Sequence, residues 1–144
     1  MDANTSVTLT EHFREVMAGV ATPVTVVTAM SDGPPHGTTV SAFASLSMNP
    51  PAVLVSLDRG SLALARKGGV GKFSGVPWDV DHDLPRLPQT PGRLACEVAA
   101  LVDGGNHVIA VGSVISAETI DERPLTYHAR IFGTHAALEE PSPP

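Results

Sequence analysis

The sequence has little of what a secreted, membrane-spanning or nucleic-acid-binding protein needs. Its single cysteine, Cys96, cannot build an internal disulfide framework, so a reducing cytoplasmic setting is expected. No uninterrupted apolar segment reaches the about 18 residues of a membrane span, and the N-terminal MDANTSVTLTEHF lacks the basic start and apolar core of a signal peptide. Nine basic residues against 15 acidic ones give a formal net charge of −6, which argues against a nucleic-acid-binding face.

What is present indicates one globular domain with many turns. The chain has 144 residues, of which 42% are hydrophobic, together with 13 glycines and 13 prolines. A chain of this length can bury roughly 70% of its unfolded surface, which is enough for a core. We expect a domain over residues 1–133 and a disordered tail over 134–144, which ends in EEPSPP.

The first thirty residues predict one helix and one strand. The segment TLTE, Thr8 to Glu11, fits a capping box. The β-branched run VTVVTAM, Val24 to Met30, predicts a strand. Between them, apolar residues recur at the spacing of one buried helical face: Phe13, Val16, Met17 and Val20.

Later stretches predict further strands at short spacing, with no second convincing helix. The Asp103-Gly104-Gly105-Asn106 stretch is a hairpin signal because Gly and Asn tolerate positive φ. The Pro- and Gly-rich segment from Gly68 to Gly92 is predicted to be a long loop. This pattern favours a mainly β barrel or sandwich. The predicted strand segments are GTTVSAFASLS (Gly37–Ser47), AVLVSL (Ala52–Leu57), LACEVAALV (Leu94–Val102), HVIAVGSVISA (His107–Ala117) and LTYHARIF (Leu125–Phe132).

The glycine-rich GGVGKFSG, Gly68 to Gly75, looks like a phosphate-binding loop but fails the known patterns. A Walker loop ending at Gly71-Lys72 would need glycine at Arg66 and a hydroxyl at Phe73. A dinucleotide fingerprint would place its third glycine at Ser74. The stretch is therefore not predicted to be a nucleotide cradle of either kind.

Small hydroxyl residues offer a better candidate site. Tiny side chains let a flat ring or a phosphate approach the backbone, and the hydroxyls add hydrogen bonds. An ordinary solvated strand face is the alternative. The Asp58-Arg59-Gly60-Ser61 segment, directly after a strand, suits either a phosphate site or a surface turn. The hydroxyl residues are Thr38, Thr39, Ser41, Ser45 and Ser47.

The histidines predict no metal site. None of the six forms the i, i+4 pair of a helical metal site, and Asp81-His82-Asp83 has no evident third partner. His107, at a strand start after Gly105, is the histidine best placed to face a site, with an exposed turn histidine as the alternative. Cys96 lies within a strand and is interpreted as a small core residue.

Five stretches together resemble the flavin reductase-like family, whose fold is the FMN-binding split barrel. The family includes reductase components of two-component flavin monooxygenases. The stretches occur in the family's order and span most of the chain. They are FREVMAGVATPVTVVTA (Phe13–Ala29), PHGTTVSAFASLSMNPPAVLVSLDRGS (Pro35–Ser61), KFSGVPW (Lys72–Trp78), GGNHVIAVGSV (Gly104–Val114) and PLTYHARIFG (Pro124–Gly133).

The resemblance implies a mainly β split barrel with an N-terminal helix, and it implies roles for individual residues. His107 would be the catalytic residue, beside the nicotinamide. Phe73 would pack near the cofactor, and Tyr127 and Arg130 would lie near the same pocket. Residues along the isoalloxazine wall would be Thr39, Val40, Ser41, Ala42, Ser45 and Ser47, and those closing over the ring and ribityl phosphate would be Leu57, Asp58, Arg59 and Ser61.

The resemblance also implies an activity. The chain would be a cytoplasmic, homodimeric NAD(P)H-dependent flavin reductase, with FMN or FAD as cofactor and NADH or NADPH as co-substrate. It would supply reduced flavin to a partner monooxygenase. A non-catalytic flavin-binding scaffold of the same fold and a flavin-dependent biosynthetic enzyme acting on an organic substrate are the alternatives.

Two departures from the family's pattern stand out. The family's Gly-Asp-His motif is Gly105-Asn106-His107 here, which exchanges a carboxylate for an amide. In addition, Ser61-Leu62-Ala63-Leu64-Ala65-Arg66-Lys67 directly joins stretches that a strand and a helix separate in relatives, a shortening of roughly two dozen residues. Three explanations are open. The chain is a natural short variant that completes its barrel through a dimer, or it is a binding protein that has lost turnover. Alternatively, the recorded sequence omits residues that the natural chain contains.

Overall fold

The computed structural model describes residues 3–30, 35–60 and 77–139, with side chains from residue 8 onward. One helix and eleven strands make up this part of the chain, so the mainly β prediction is confirmed. In chain order the elements are α1 (Ala3–Ala18), β1 (Thr22–Pro23), β2 (Thr25–Met30), β3 (Pro35–Val40), β4 (Phe43–Met48), β5 (Pro51–Asp58), β6 (Asp79–Asp81), β7 (Leu84–Arg86), β8 (Gly92–Gly104), β9 (His107–Thr119), β10 (Leu125–His128) and β11 (Ile131–Thr134).

The largest sheet has four antiparallel strands in the order β4-β5-β9-β8. Its β8–β9 hairpin confirms the predicted one, and Gly105 in the turn adopts a φ of +72°. The strands approach each other closely at Gly112, where an added Cβ would lie 3.0 Å from the Cβ of Cys96. A side chain larger than hydrogen at Gly112 would therefore press on Cys96 in the neighbouring strand.

Of the three smaller sheets, two are formed by strands outside residues 43–119. Strands β2 and β3 pair antiparallel, and β1, β10 and β11 form a three-stranded sheet. The prediction of one strand from Leu125 to Phe132 was wrong, because Ala129 and Arg130 adopt φ values of 49° and 62° and turn the chain back on itself. Likewise, the stretch Gly37–Ser47 is two strands, which separate at Ser41 and Ala42.

The predicted loop over Gly68–Gly92 contains a short hairpin, β6–β7, in its described part. Arg86 holds the hairpin together by two hydrogen bonds to the carboxylate of Asp79, at 2.8 and 2.9 Å. The hydroxyl of Thr28 in β2 donates a 3.1 Å hydrogen bond to the carbonyl of Pro85. The loop prediction failed here because side-chain ion pairs, which a Pro/Gly count does not register, order the segment.

The helix begins earlier than predicted and its apolar face is exposed. It starts at Ala3, so Thr8 lies inside α1 rather than at a capping box. Phe13 and Val16 are 61% and 68% exposed, and the face expected to be buried is therefore open in the single chain. The described residues contain no helix both long and apolar enough to cross a membrane.

Few hydrophobic residues are buried within one chain. In the described residues, Leu57 and Ala95 are buried, together with Gly37 of β3 and Pro85 of the β6–β7 hairpin. Large apolar side chains on β8 and on the β10–β11 hairpin are open to solvent. The most exposed of them are Val98, Leu101, Ile131 and Phe132, each between 65% and 70% exposed.

Candidate functional site

The end of β5 meets the start of β9, and two side chains of chemical interest face each other there. The antiparallel register pairs Asp58 with His107 as the last pair of the ladder. The Oδ2 atom of Asp58 lies 4.0 Å from Nε2 of His107, and both side chains are a little over half-buried. This end of the sheet therefore places a carboxylate and an imidazole side by side, both accessible to solvent.

Asn106 fixes the orientation of the His107 ring. Its Oδ1 atom lies 2.8 Å from Nδ1 of His107. Because an amide oxygen only accepts hydrogen bonds, the proton of this contact belongs to Nδ1. The other ring nitrogen, Nε2, lies on the side of Asp58. The Asn106 amide thus holds the ring without placing a negative charge beside it.

Arg59 ties the end of β5 to the β8–β9 turn by three contacts. Its main-chain N–H donates to the carbonyl of Asn106 at 3.1 Å, and its Nε donates to the carbonyl of Gly105 at 3.3 Å. Its guanidinium also forms an ion pair with the Oδ1 atom of Asp103. The turn that carries His107 is therefore held from the β5 side.

Four residues of the predicted wall lie at the end of β3 and on the link to β4. Thr39 and Val40 are the last residues of β3, and Ser41 and Ala42 form the link. Thr39 and Val40 pair with β2. At the link, the N–H of Phe43 donates to the carbonyl of Ser41 at 3.1 Å, and the N–H of Ser56 donates to the carbonyl of Ala42 at 2.9 Å. Ser56 precedes Asp58 by two residues, so this small-residue link lies about 7 Å along β5 from the Asp58–His107 pair.

The other predicted wall residues lie in the same sheet. Ser45 and Ser47 are in β4, where Ser45 pairs with Val53 and a register shift separates the two serines. Leu57 is 8% exposed and pairs with Val108. Since its side chain is buried, Leu57 would meet a ligand through its backbone. The structure thus brings Ala42, Leu57, Asp58, Arg59 and His107 to one end of the four-stranded sheet.

Tyr127 and Arg130 lie in the sheet of β1, β10 and β11. The Tyr127 ring packs against Phe132 with centroids 5.1 Å apart. The guanidinium of Arg130 donates to the carboxylate of Glu15 in α1 at 2.9 Å. In the described part of the chain, these contacts join the pair to α1 and β11 and do not join it to the His107 turn.

Two predicted residues, Ser61 and Phe73, lie outside the described residues, as do the GGVGKFSG stretch and residues 140–144 of the predicted tail. Sequence reasoning missed Asp103. The opposite charges of Asp103 and Arg59 are visible in the sequence. Nothing pairs these two residues, however, until β5 is known to lie beside β9.

The titratable groups with shifted pKa values lie away from this turn. Hydrogen bonding to His82 and then to Arg93 lowers the pKa of Asp81 below its ordinary 3.8. A hydrogen bond to Arg86 lowers the pKa of Asp79. Burial raises the pKa of the free Cys96 thiol. Across the described residues, no group of three or more His, Cys, Asp or Glu side chains is arranged to hold a metal ion.

The sequence matches a known family over most of its length. Residues 17–70 and 62–136 match the flavin reductase like domain. The chain belongs to this flavin reductase-like family. The resemblance on which the split-barrel prediction rested is thereby confirmed.

Individual relatives agree with the family match. The reductase component of a 4-nitrophenol 4-monooxygenase/4-nitrocatechol 2-monooxygenase from Rhodococcus opacus is 34% identical, over 85% of this chain and 79% of the relative. The FMN reductase (NADH) of Agrobacterium fabrum is 32% identical, over 84% and 83%. The solved styrene monooxygenase flavin reductase of Pseudomonas putida has a TM-score of 0.74 at 26% identity, covering 87% of this chain and 97% of its own.

The same comparisons bear on the shortened middle. The two alignments run over 146 and 145 positions, more than the 144 residues of this chain, yet take up only 85% and 84% of it. The relatives therefore carry roughly two dozen residues without a counterpart here. The two segments matched to the family overlap at residues 62–70. These findings agree in size and position with the shortening predicted after residue 61.

Proposed function

We propose that this protein is an NAD(P)H-dependent flavin reductase that supplies reduced FMN or FAD to a partner monooxygenase. Membership of the flavin reductase-like family supports this activity, as do relatives that are an FMN reductase (NADH) and a monooxygenase reductase component. The observation that carries the proposal to particular residues is the meeting of Ala42, Asp58 and His107 at one sheet end.

The residues at this sheet end fit a flavin. A planar tricyclic ring needs main chain that it can approach, and the link of Ser41 and Ala42 presents only a hydroxymethyl and a methyl group there. Thr39 and Val40 continue this wall on β3, and Ser45 and Ser47 continue it on β4. Leu57 supplies main chain beside the wall. The donor set is amide and hydroxyl, which suits the polar edge of an isoalloxazine.

The protein's own contribution to the reaction is mainly positional. A bound flavin supplies the acceptor for the hydride of the nicotinamide. His107 would lie beside the nicotinamide, and its ring is held by the 2.8 Å contact to Asn106 with Nε2 facing Asp58. Holding two rings face to face lowers the entropic part of the barrier without any acid or base. Tyr127 and Arg130 approach this site only if another chain or a rearrangement brings them there.

The protein acts as a homodimer in this proposal. A second copy would cover apolar side chains that one chain exposes. These are Val98 and Leu101 on β8 and Phe13 and Val16 on α1. The cytoplasm is the proposed location, since the single cysteine is a free thiol.

The proposal is tested by NADH consumption in the presence and absence of added flavin. The purified protein is incubated with NADH or NADPH, and the nicotinamide absorbance is followed while FMN, FAD or riboflavin is added. Consumption that requires both protein and flavin supports the proposal. Tight flavin binding with no nicotinamide oxidation would show instead a flavin-binding protein without reductase activity. The absence of both flavin binding and nicotinamide oxidation would overturn the flavin assignment.

A further inference from the structure

We propose that Arg59 and Asp103 form a clasp that positions the turn carrying His107. Arg59 is then a positioning residue for the nicotinamide side of the site and not a ligand of the flavin phosphate. Asp103 lies just outside the five stretches that resemble the family, and it is a second positioning residue. This inference rests on the proposed reductase function and assigns the specific task of one of its residues.

The clasp spans three strands at one end of the sheet. Arg59 follows the last residue of β5, and Asp103 is near the end of β8, with β9 between the two strands. Two interstrand spacings amount to about 10 Å, a distance that an extended arginine can reach together with its backbone. Along the way Arg59 bonds to the carbonyls of Gly105 and Asn106. One residue therefore holds both sides of the turn and the residue directly before His107.

The charges around Arg59 disfavour a phosphate ligand. Two of its donors, Nε and one terminal nitrogen, are directed to Gly105 and Asp103. The Asp103 carboxylate is 81% exposed, so an anion approaching the guanidinium would also meet this negative charge. A phosphate that took the place of Asp103 at this terminal nitrogen would release the turn. Arg59 is engaged by the protein itself.

The clasp acts on His107 through two connections. Asn106, whose carbonyl accepts from the Arg59 N–H, also holds the His107 ring through its side chain. Asp58, adjacent to Arg59, faces Nε2 of the same ring. An exposed ion pair by itself contributes little to overall stability. The consequence of losing the clasp is therefore expected in the placement of the imidazole and much less in overall stability.

The test compares Arg59→Ala, Asp103→Asn and the double variant in the full-length protein. We expect the KM for NADH to rise about tenfold in Arg59→Ala and about threefold in Asp103→Asn, with the double variant no worse than Arg59→Ala because the two residues act as one unit. The KM for flavin stays within about twofold. Additive effects on NADH would contradict the clasp.

A binding measurement separates positioning from phosphate recognition. The dissociation constants of FMN and riboflavin are measured for each variant by flavin fluorescence. The clasp predicts that the ratio of the two constants is the same in the wild-type protein and in Arg59→Ala. A selective loss of FMN binding, with riboflavin binding retained, would make Arg59 a phosphate ligand and overturn the inference.

A matched pair of control variants comes from the β6–β7 hairpin. Arg86→Ala and Asp79→Asn remove a less exposed Arg–Asp ion pair away from the turn, and both are expected to leave the KM for NADH unchanged. Amide hydrogen exchange at residues 104–107 gives a readout that needs no turnover. It should be faster in Arg59→Ala and Asp103→Asn than in the controls, and unchanged exchange would contradict the clasp. An inactive wild-type protein would defeat the proposed function, while the exchange data would still decide on the clasp.

Discussion

Asp58 stands directly opposite His107 in the β5–β9 ladder, with 4.0 Å between the carboxylate Oδ2 and the imidazole Nε2. The pair closes the ladder at the sheet end where the Ser41–Ala42 link joins β5. The link lies about 7 Å along β5 from the pair, so the proposed flavin wall and the proposed nicotinamide-side histidine lie at the same end of the sheet.

Replacing His107 by alanine removes the ring proposed to lie beside the nicotinamide. We expect the KM for NADH to rise about tenfold and the KM for flavin to change by less than about twofold, because the flavin wall lies on other strands. Steady-state kinetics with each substrate varied in turn measures the difference. An equal loss for both substrates in a folded variant would place His107 elsewhere.

Asn106→Ala removes the 2.8 Å contact that orients the His107 ring. We expect the KM for NADH to rise about threefold and the KM for flavin to stay within about twofold, because only the placement of the imidazole is disturbed. Asn106→Asp is the control variant, since a carboxylate oxygen can accept the same hydrogen bond and the variant should stay close to the wild type. A KM for NADH in Asn106→Ala equal to that of the wild type would contradict the orienting role of Asn106.

Leu101→Lys tests the proposed dimer at the exposed face of β8. Leu101 is 66% exposed in one chain, and a buried lysine at an apolar interface would be costly to desolvate. We expect the variant to sediment as a monomer, whereas the wild type sediments as a dimer. Leu138→Lys is the matched control, because Leu138 is fully exposed and lies outside the sheets. A dimeric Leu101→Lys protein would exclude this part of β8 from the interface.

Asp81→Asn tests the ion pairs that order the β6–β7 hairpin. His82 and Arg93 lower the pKa of the Asp81 carboxyl in the folded protein, so its contribution to stability is present at pH values above about 4 and is lost as the pH falls through the lowered pKa. Urea unfolding should show the wild type more stable than Asp81→Asn near neutral pH and no difference in strong acid. Asp83→Asn in the same turn is the control. A difference that persisted unchanged into acid would contradict an ionic origin.

Local patterns predicted the strands well and their ends poorly. The β-branched runs of β2 and β5 and the Asp-Gly-Gly-Asn turn carry their structure in a few adjacent residues, and they were confirmed. The two left-handed residues Ala129 and Arg130, which divide β10 from β11, have no such signature, because neither is a glycine or an asparagine. The β6–β7 hairpin likewise depends on Arg93 of β8, a contact that only the folded chain makes.

The candidate site divides in the same way. The resemblance marked His107 and the Asp58–Arg59 segment, which adjoin in the structure through the β5–β9 register. It could not mark Asp103, whose importance comes from a side-chain contact across two strands. Nor could periodicity show that the apolar face of α1 is exposed, since a helical pattern reports which residues share a face and not what covers that face.

The proposed reductase function requires above all that this shortened chain still brings a nicotinamide and a flavin into contact. Rapid mixing of the flavin-saturated protein with NADH, in the absence of oxygen, tests this claim directly through the flavin absorbance. The account predicts that the flavin band bleaches in a single turnover, and that His107→Ala slows the bleaching at low NADH concentration. A flavin band that bleaches no faster with the protein than in buffer would contradict it.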